Sequence, residues 1–227
     1  MAAREKTIAY GGRDITVYFT VHRCTHVAEC LNGAPEVFDL SQTPWVQPDT
    51  APADQVATVI LRCPTGALHF RRHDGGAEEK ITRRNILIIS RDGPFFARGD
   101  LRILNFDGRR VLEDSRLALC RCGHSRIMPL CDGSHWLGGF TDPGRYSPRP
   151  QNPLPPESPL IVKLEKDGPL ELSGPVIIQG PDGEGIFQGG KARLCRCGHS
   201  RHQPFCDRSH IEAGFSTGSQ VRLIPEE

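Results

Sequence analysis

The chain lacks the features that mark membrane-spanning, secreted and nucleic-acid-binding proteins. Its formal net charge is +1 over 227 residues, so we expect no strong attraction to nucleic acid or to an anionic membrane. No apolar run approaches the roughly 18 residues that a membrane span needs, and the N-terminus has no apolar signal segment. We therefore expect a cytoplasmic protein with no membrane partner and no nucleic-acid partner.

Catalytic signatures are also missing. The sequence contains no Ser/His/Asp constellation, no phosphate-binding loop and no nucleotide fingerprint, so we do not expect an enzyme. Hydrophobic residues make up only 37% of the chain, while it contains 24 Gly and 19 Pro. This composition favours several small, loop-rich units over one large core.

The nine cysteines are the informative residues. Their odd number, the adjacent C-x-C pairs and the missing secretory signal all argue against disulfide bonds. We therefore interpret them as reduced thiols that bind metal.

Six of the cysteines belong to a pattern that occurs twice, 75 residues apart. Each copy provides three thiols and one imidazole: Cys120, Cys122, Cys131 and His135, then Cys195, Cys197, Cys206 and His210. Such a set fits a Cys₃His zinc site, although C-x-C is less typical of zinc than C-x₂-C. It also fits a [2Fe–2S] cluster, with C-x-C on one iron and the Cys/His pair on the other. A catalytic cysteine is the weakest interpretation because three cysteines converge.

The repeat extends beyond the cysteines. Asp92-Gly93-Pro94 recurs as Asp167-Gly168-Pro169 at the same offset, and Gly99 recurs as Gly174. Short apolar runs before these turns predict a small antiparallel β structure ahead of each metal-binding pattern. The predicted domains are residues 80–145 and 160–227, joined by an extended Pro-rich linker at 146–159.

The repeated pattern C-x-C-x₂-S-x₃-P-x-C-D-G-S-H resembles the signature of the CDGSH iron–sulfur family, which includes the mitoNEET-like proteins. The second copy departs from the signature at Arg208, where the first has Gly133. The resemblance implies one [2Fe–2S] cluster on the three Cys and one His of each copy. It also implies electron transfer or redox sensing, with cluster transfer or storage as the alternative.

Three hypotheses concern the surroundings of these sites. If Gly133 has positive φ, an Arg208 with the same backbone lowers stability by on the order of 1 kcal/mol, unless that position is helical instead. Separately, the positive charge of Arg208 is expected to make the reduction potentials of the two clusters differ. A single imidazole ligand makes each cluster acid-labile, because protonation of the metal-bound nitrogen releases iron. Arg121, Arg196, Arg126 and Arg201 are expected on the surface, with Trp136 and Ile211 covering the sites.

The resemblance also has a consequence for assembly. MitoNEET-like proteins are homodimers with one cluster per chain, so the gapless repeat here suggests an intrachain pseudo-dimer. The strands before each metal-binding pattern should then pair across a pseudo-two-fold axis, and the protein should be monomeric. The implied partners are redox proteins or an apo-protein that accepts clusters.

Residues 1–75 form a separate predicted unit with the remaining cysteines, Cys24, Cys30 and Cys63. A strand is predicted at residues 15–19, a helix at 53–61 and a strand at 68–70. The spacing and the Cys63-Pro64 ending resemble divergent single-cluster ferredoxins. Three cysteines without a fourth suggest a [3Fe–4S] cluster, which we favour slightly. The resemblance implies a [4Fe–4S] cluster, which needs a fourth ligand, and His26 is the candidate.

The predicted fold class is therefore α+β. A small ferredoxin-like α/β domain precedes two mostly-β CDGSH repeats. Two other interpretations remain open: a ferredoxin-like domain that has lost its cluster, and a zinc-bound interaction scaffold in place of the iron–sulfur repeats.

Overall fold

The computed structural model describes residues 6–142 and 144–217. The described chain is mostly β structure with a few short helices, and it divides into two units between Lys80 and Ile81. Across these residues, none of the helices has the length and apolar character needed to cross a membrane.

The N-terminal unit is built on a three-stranded antiparallel sheet of order β1-β2-β3. Its elements are β1 Thr7–Gly11, β2 Ile15–Thr20, α1 Glu29–Gly33, α2 Ala53–Ile60 and β3 Leu68–Arg72. Alternate residues of β2, Ile15 and Val17, are fully buried, as the alternating pattern of a one-sided sheet requires. The predicted strands and helix are confirmed, whereas β1 and α1 were missed.

Helix α2 covers the sheet and completes the core of this unit. Its apolar residues Val56, Val59 and Ile60 recur three and four positions apart, so they share one face and are buried. They pack with β2, β3 and the buried Val37 and Phe38 of the intervening segment. The core therefore holds the loop with Cys24 and the helix α1 with Cys30 next to the end of α2, after which Cys63 follows.

The C-terminal unit contains two copies of a three-stranded antiparallel arrangement. The strands are β4 Ile86–Ile89, β5 Phe95–Leu104, β6 Arg110–Leu119, β7 Leu160–Leu164, β8 Leu170–Gln179 and β9 Gly185–Leu194. In each copy the second strand pairs with the first and the third. One helical turn follows each copy, α3 Ser134–Leu137 and α4 Ser209–Glu212. The predicted β structure is confirmed, although β6 and β9 were not foreseen as separate strands.

Strands also pair between the two copies. The first strand of each copy runs parallel to the second strand of the other, β4 with β8 and β5 with β7. Cross-pairing before the metal-binding patterns is therefore confirmed. The reciprocal pattern joins both copies into one sheet with a shared apolar core.

Two repeated glycines allow this exchange of partners. Strand β5 pairs with β4 up to Arg98 and with β7 from Leu101, and the interruption contains Gly99 with φ of 148°. A Cβ atom at Gly99 would lie 2.9 Å from the Asn85 Cα. Gly174 occupies the equivalent place in β8 with φ of 118°. Only glycine accepts this backbone at little cost, which explains why both copies have it.

The predicted linker runs along the outer edge of β9. Residues 146–159 contain no helix or strand, as expected from their prolines. The backbone N–H of Arg149 donates to Ile186 O at 2.8 Å, and that of Asn152 donates to Gln188 O at 3.0 Å. The Arg149 guanidinium lies 3.6 Å from the centre of the Phe205 ring. The linker thus protects a strand edge that would otherwise be open.

Candidate metal centres

The two C-x-C segments follow β6 and β9 directly and meet each other. Cys122 and Cys197 form an isolated antiparallel bridge. Each cysteine is followed by a glycine of positive φ, Gly123 at 82° and Gly198 at 84°. A Cβ atom at Gly123 would lie 2.7 Å from Cys197 O, and one at Gly198 would lie 2.9 Å from Cys122 O. The close approach of the two segments therefore requires glycine at both positions.

Within each copy the predicted ligands come together as two pairs. In the first copy Cys120 Sγ lies 3.7 Å from Cys122 Sγ, and Cys131 Sγ lies 3.4 Å from His135 Nδ1. In the second copy the corresponding distances are 3.6 Å for Cys195 and Cys197 and 3.5 Å for Cys206 and His210. Among the described residues, no three His, Cys, Asp or Glu side chains converge on one point.

A left-handed residue before the helical turn produces each Cys/His pair. Gly133 has φ of 83° and Arg208 has φ of 74°. Asp132 Oδ1 accepts from the Ser134 N–H at 3.0 Å, and Asp207 Oδ1 accepts from the Ser209 N–H at 2.9 Å. Of the two alternatives for Arg208, the structure therefore shows the strained one, because the residue is left-handed and not helical.

Backbone N–H groups point at the ligand sulfurs. His124 N and Gly133 N each lie 3.4 Å from the Sγ atoms of Cys122 and Cys131, respectively. His199 N and Arg208 N make the same contacts at 3.4 Å with Cys197 and Cys206. Hydrogen bonds of this kind stabilise thiolates and raise the potential of an iron–sulfur cluster.

Burial and pairing give the thiols different acidities. A hydrogen bond from Cys122 lowers the pKa of Cys120 to about 7, and a hydrogen bond from Cys197 lowers the pKa of Cys195 to about 6. Donating that bond raises the pKa of Cys122 and of Cys197. Burial raises the pKa of Cys131 to about 12. Metal binding must therefore displace protons from the remaining thiols.

The histidine of the first copy is held in its metal-binding form. Burial lowers the pKa of His135, so its imidazole is neutral at neutral pH. The Trp136 ring lies edge-on with its centre 5.2 Å from that of His135. Trp136 is nevertheless 63% exposed and Ile211 is 69% exposed, so both apolar side chains are largely open to solvent beside the sites.

The expectation that Arg121 and Arg196 lie on the surface was wrong, because both are buried. In each C-x-C segment the two cysteines face one side and the arginine between them faces the opposite side, toward the preceding turn. Nε donates to Gly93 O at 2.8 Å in the first copy and to Gly168 O at 2.9 Å in the second. Period-two alternation was the sequence signal for this burial. Arg126 and Arg201 are exposed, as predicted.

The three cysteines of the N-terminal unit and His26 line one pocket. Cys24 Sγ lies 3.9 Å from His26 Nδ1. Two non-glycine residues of the loop between Cys24 and Cys30, His26 and Ala28, have left-handed backbones with φ of 55° and 66°. Such conformations are costly and concentrate at ligand-binding loops.

This pocket fits an iron–sulfur cluster. Burial raises the pKa of Cys24, and raises that of Cys30 to about 11, so iron is needed to hold these sulfurs as thiolates. The Thr25 hydroxyl lines the same pocket, is buried and has no hydrogen-bond partner among the described residues. Sulfide is an acceptor that a cluster would supply to this hydroxyl.

Comparisons with known proteins agree with this geometry. Residues 10–73 match the family described as divergent 4Fe-4S mono-cluster, and residues 92–136 and 167–211 match the iron-binding zinc finger of CDGSH type. The chain is 40% identical over 62 residues to the uncharacterized protein YjdI of Escherichia coli K12, and to that of strain O157:H7. Each alignment covers 27% of this chain and 82% of the relative. No solved structure matches significantly.

The fold and the cysteine sites thus define an iron–sulfur cluster-binding protein. The chain belongs to the divergent 4Fe-4S mono-cluster family through its N-terminal unit, and to the CDGSH-type family through both repeats.

Proposed function

We propose that the chain is an electron-transfer protein, not an enzyme, with one [2Fe–2S] cluster in each CDGSH-type module. The observation that carries this proposal is the backbone bridge between Cys122 and Cys197. Residues paired in this way have Cα atoms about 5 Å apart. Ligand residues of both clusters are therefore direct neighbours, which supports rapid electron exchange between the two centres.

The pairing of the ligands supports two irons per module over a single zinc ion. A mononuclear site needs four donors around one point, whereas a [2Fe–2S] cluster needs two donors on each of two irons. The thiol pair Cys120/Cys122 and the mixed pair Cys131/His135 match that division. The second module repeats it at nearly the same distances.

For the N-terminal unit we propose a ferredoxin-like domain with a [4Fe–4S] cluster on Cys24, Cys30, Cys63 and His26. The family description names a 4Fe-4S cluster, and His26 lies in the same pocket as the three cysteines. Both observations favour four ligands over the [3Fe–4S] cluster that the cysteine count alone suggested. The N-terminal unit would then supply a third redox centre in the same chain.

We further propose a cytoplasmic protein that acts as a monomeric pseudo-dimer and exchanges electrons with a redox protein. The parallel pairings of β4 with β8 and β5 with β7 support the pseudo-two-fold arrangement, since one chain supplies both halves. Light scattering of the purified full-length chain should give the mass of one chain, and a dimeric mass would contradict this part of the proposal.

The test of the function is iron and acid-labile sulfide analysis, combined with EPR of oxidised and reduced protein. About eight irons per chain are expected for two [2Fe–2S] clusters and one [4Fe–4S] cluster. About seven irons with an EPR signal in the oxidised state would indicate [3Fe–4S] instead. Reversible reduction by a flavoprotein reductase supports electron transfer, whereas zinc without sulfide would refute the proposal.

The second candidate function is cluster transfer or storage, and one observation favours it. Cys206 and His210 are half-buried, whereas Cys131 and His135 are almost fully buried. Greater exposure should make the second cluster easier to release. Rapid delivery of that cluster to an apo-ferredoxin, faster than electron exchange with a reductase, would favour this function over electron transfer.

A further inference from the structure

The two modules have nearly the same backbone around their cluster sites. Cys120 N donates to Pro129 O at 2.7 Å, and Cys195 N donates to Pro204 O at 2.8 Å. Ser125 Oγ donates to Leu130 O, and Ser200 Oγ donates to Phe205 O, both at 2.6 Å. Residues at equivalent positions therefore have equivalent places relative to the ligands.

The two modules have different side chains at the residue before Pro129 and Pro204. The first module has Met128, which is fully buried and packs in an apolar cluster with Cys120 and Cys122. The second module has Gln203. Both the amide oxygen and the amide nitrogen of Gln203 are buried, and neither has a hydrogen-bond partner among the described residues.

A buried amide without a partner is costly, so native proteins rarely keep one without a reason. Gln203 is bonded to Pro204, whose carbonyl oxygen accepts from Cys195 N. The acceptors that a bound cluster brings to this place are its sulfides and the ligand thiolates. These sulfurs can accept from Nε2 of Gln203, whereas the thioether of Met128 has no hydrogen to donate.

We propose that Gln203 Nε2 donates a hydrogen bond to a sulfur of the second module's cluster, and that this bond makes the second cluster the higher-potential centre of the pair. The inference rests on the proposed electron-transfer function. Reduction adds one negative charge to a cluster, and an N–H donor stabilises that charge. One electron then leaves the first cluster, which is oxidised, and enters the second, which is reduced.

The charges of two arginines near the second site are weaker candidates for setting this direction. The Arg196 charge interacts with Cys120 of the first module and with Cys197 of the second, so it acts on both clusters. The Arg208 side chain is exposed, where solvent weakens its effect. The amide of Gln203 is buried, and Met128 at the equivalent position packs with two cysteines of its own module, so the exchange of Met for Gln concerns one module at a time.

The experiment compares Gln203→Met with the reciprocal Met128→Gln in the full-length, cluster-loaded chain. Potentials are measured by redox titration followed by EPR, and His135→Cys identifies the first cluster by lowering its potential. Gln203→Met should reduce the equilibrium constant for electron transfer from first to second cluster about tenfold, or 59 mV for one electron. Met128→Gln should raise the potential of the first cluster. Gln151→Met, an exposed change in the same unit, is the control and should shift neither potential.

The outcomes separate this inference from the proposed function. Protein without iron and sulfide in the repeats would refute both. Reversible clusters whose potentials respond to neither exchange, or no more than to Gln151→Met, would overturn the inference alone. If Gln203→Met does not retain its cluster, Met128→Gln decides, because an unchanged first potential in that variant contradicts the role of the amide.

Discussion

In the first CDGSH-type module the buried guanidinium of Arg121 is paired with the carboxylate of Asp142, at 2.5 Å. In the second module the equivalent Arg196 has Thr217 at the place of Asp142, at 3.2 Å, and its Nη1 has no hydrogen-bond partner among the described residues. Burial lowers the pKa of Arg196 to about 10, which leaves it positively charged at neutral pH. The first module therefore neutralises its buried cation, and the second does not.

The comparison continues at the metal-binding loops. Gly133 and Arg208 share the left-handed backbone, but only the second module pays the steric cost of a side chain there. The Cys/His pair of the second module is also less buried. The ligand geometry is thus constant, while charge, strain and exposure differ. The two repeats therefore share the arrangement of their candidate ligands and differ in the residues around them.

The largest expected effect comes from breaking the ion pair of the first module. Asp142→Thr makes this module resemble the second and should lower the free energy of unfolding by about 3 kcal/mol, since a buried cation loses its partner. Urea unfolding of the cluster-loaded chain measures the change. Thr217→Ser is the matched control, and an equal loss in both variants would show that Asp142 has no special role.

A side chain inserted where the two C-x-C segments meet should have the next largest effect on stability. Gly123→Ala or Gly198→Ala should each destabilise by about 2 kcal/mol, through a strained backbone and a clash with the opposing carbonyl. Gly183→Ala is the control, because it has φ of 84° but no atom within 4 Å of the added Cβ. Thermal or urea unfolding measures the stability of each variant. An equal loss of stability in all three would contradict the close contact between the modules.

Acid should then distinguish the two sites. The pKa of His135 is lowered by burial, so stability from its neutral form is present at neutral pH and is lost as pH falls below about 6.5, the unfolded value. The more exposed second cluster should decay first. His135→Cys and His210→Cys should each slow the decay of their own cluster about tenfold, or about 1.4 kcal/mol in activation free energy.

The measurement is visible absorbance after a jump to pH 5.5. Each variant should protect only one of the two phases and should lower the potential of that cluster. Unchanged decay in both variants would show that the imidazole ligands are not the acid-sensitive groups.

The smallest effect concerns the left-handed position. Arg208→Gly should stabilise the second module by about 1 kcal/mol, and Gly133→Arg should destabilise the first by a similar amount. Arg208→Ala retains the Cβ atom and should recover little stability. The Arg208→Ala variant also tests the role of the charge. If the Arg208 charge contributes to the difference in potential between the clusters, redox titration should show a shift in both Arg208→Ala and Arg208→Gly.

The comparison also shows how far the sequence could predict the sites. The candidate ligands could be predicted because C-x-C and the Cys/His spacing are local, and one short loop and one helical turn bring each pair together. The burial of Arg121 could not be predicted from its charge, because a charged side chain between two candidate ligands is expected on the surface. The contact of Gly123 with Cys197 joins positions far apart in the chain, and no local pattern encodes that distance.

In the N-terminal unit, too, local patterns predicted some secondary-structure elements and not others. Alternation in β2 and helical spacing in α2 predicted both elements, because each has one apolar face that must be buried. Strand β1 has no fully buried residue, since only Ile8 and Tyr10 are half-buried, so its pairing with β2 decided its conformation. Thr25 became notable only when the fold placed its hydroxyl in the pocket with the three cysteines.

The sequence by itself determined the two repeats, their eight candidate ligand residues, the three further cysteines and the iron–sulfur class of cofactor, because metal coordination depends on residue type and short spacing. Only the tertiary structure decided that the copies exchange strand partners, that their C-x-C segments touch, and that Asp142 and Thr217 face equivalent arginines. Those relations depend on burial and on distances between remote parts of the chain. They make two sites with the same ligands chemically different.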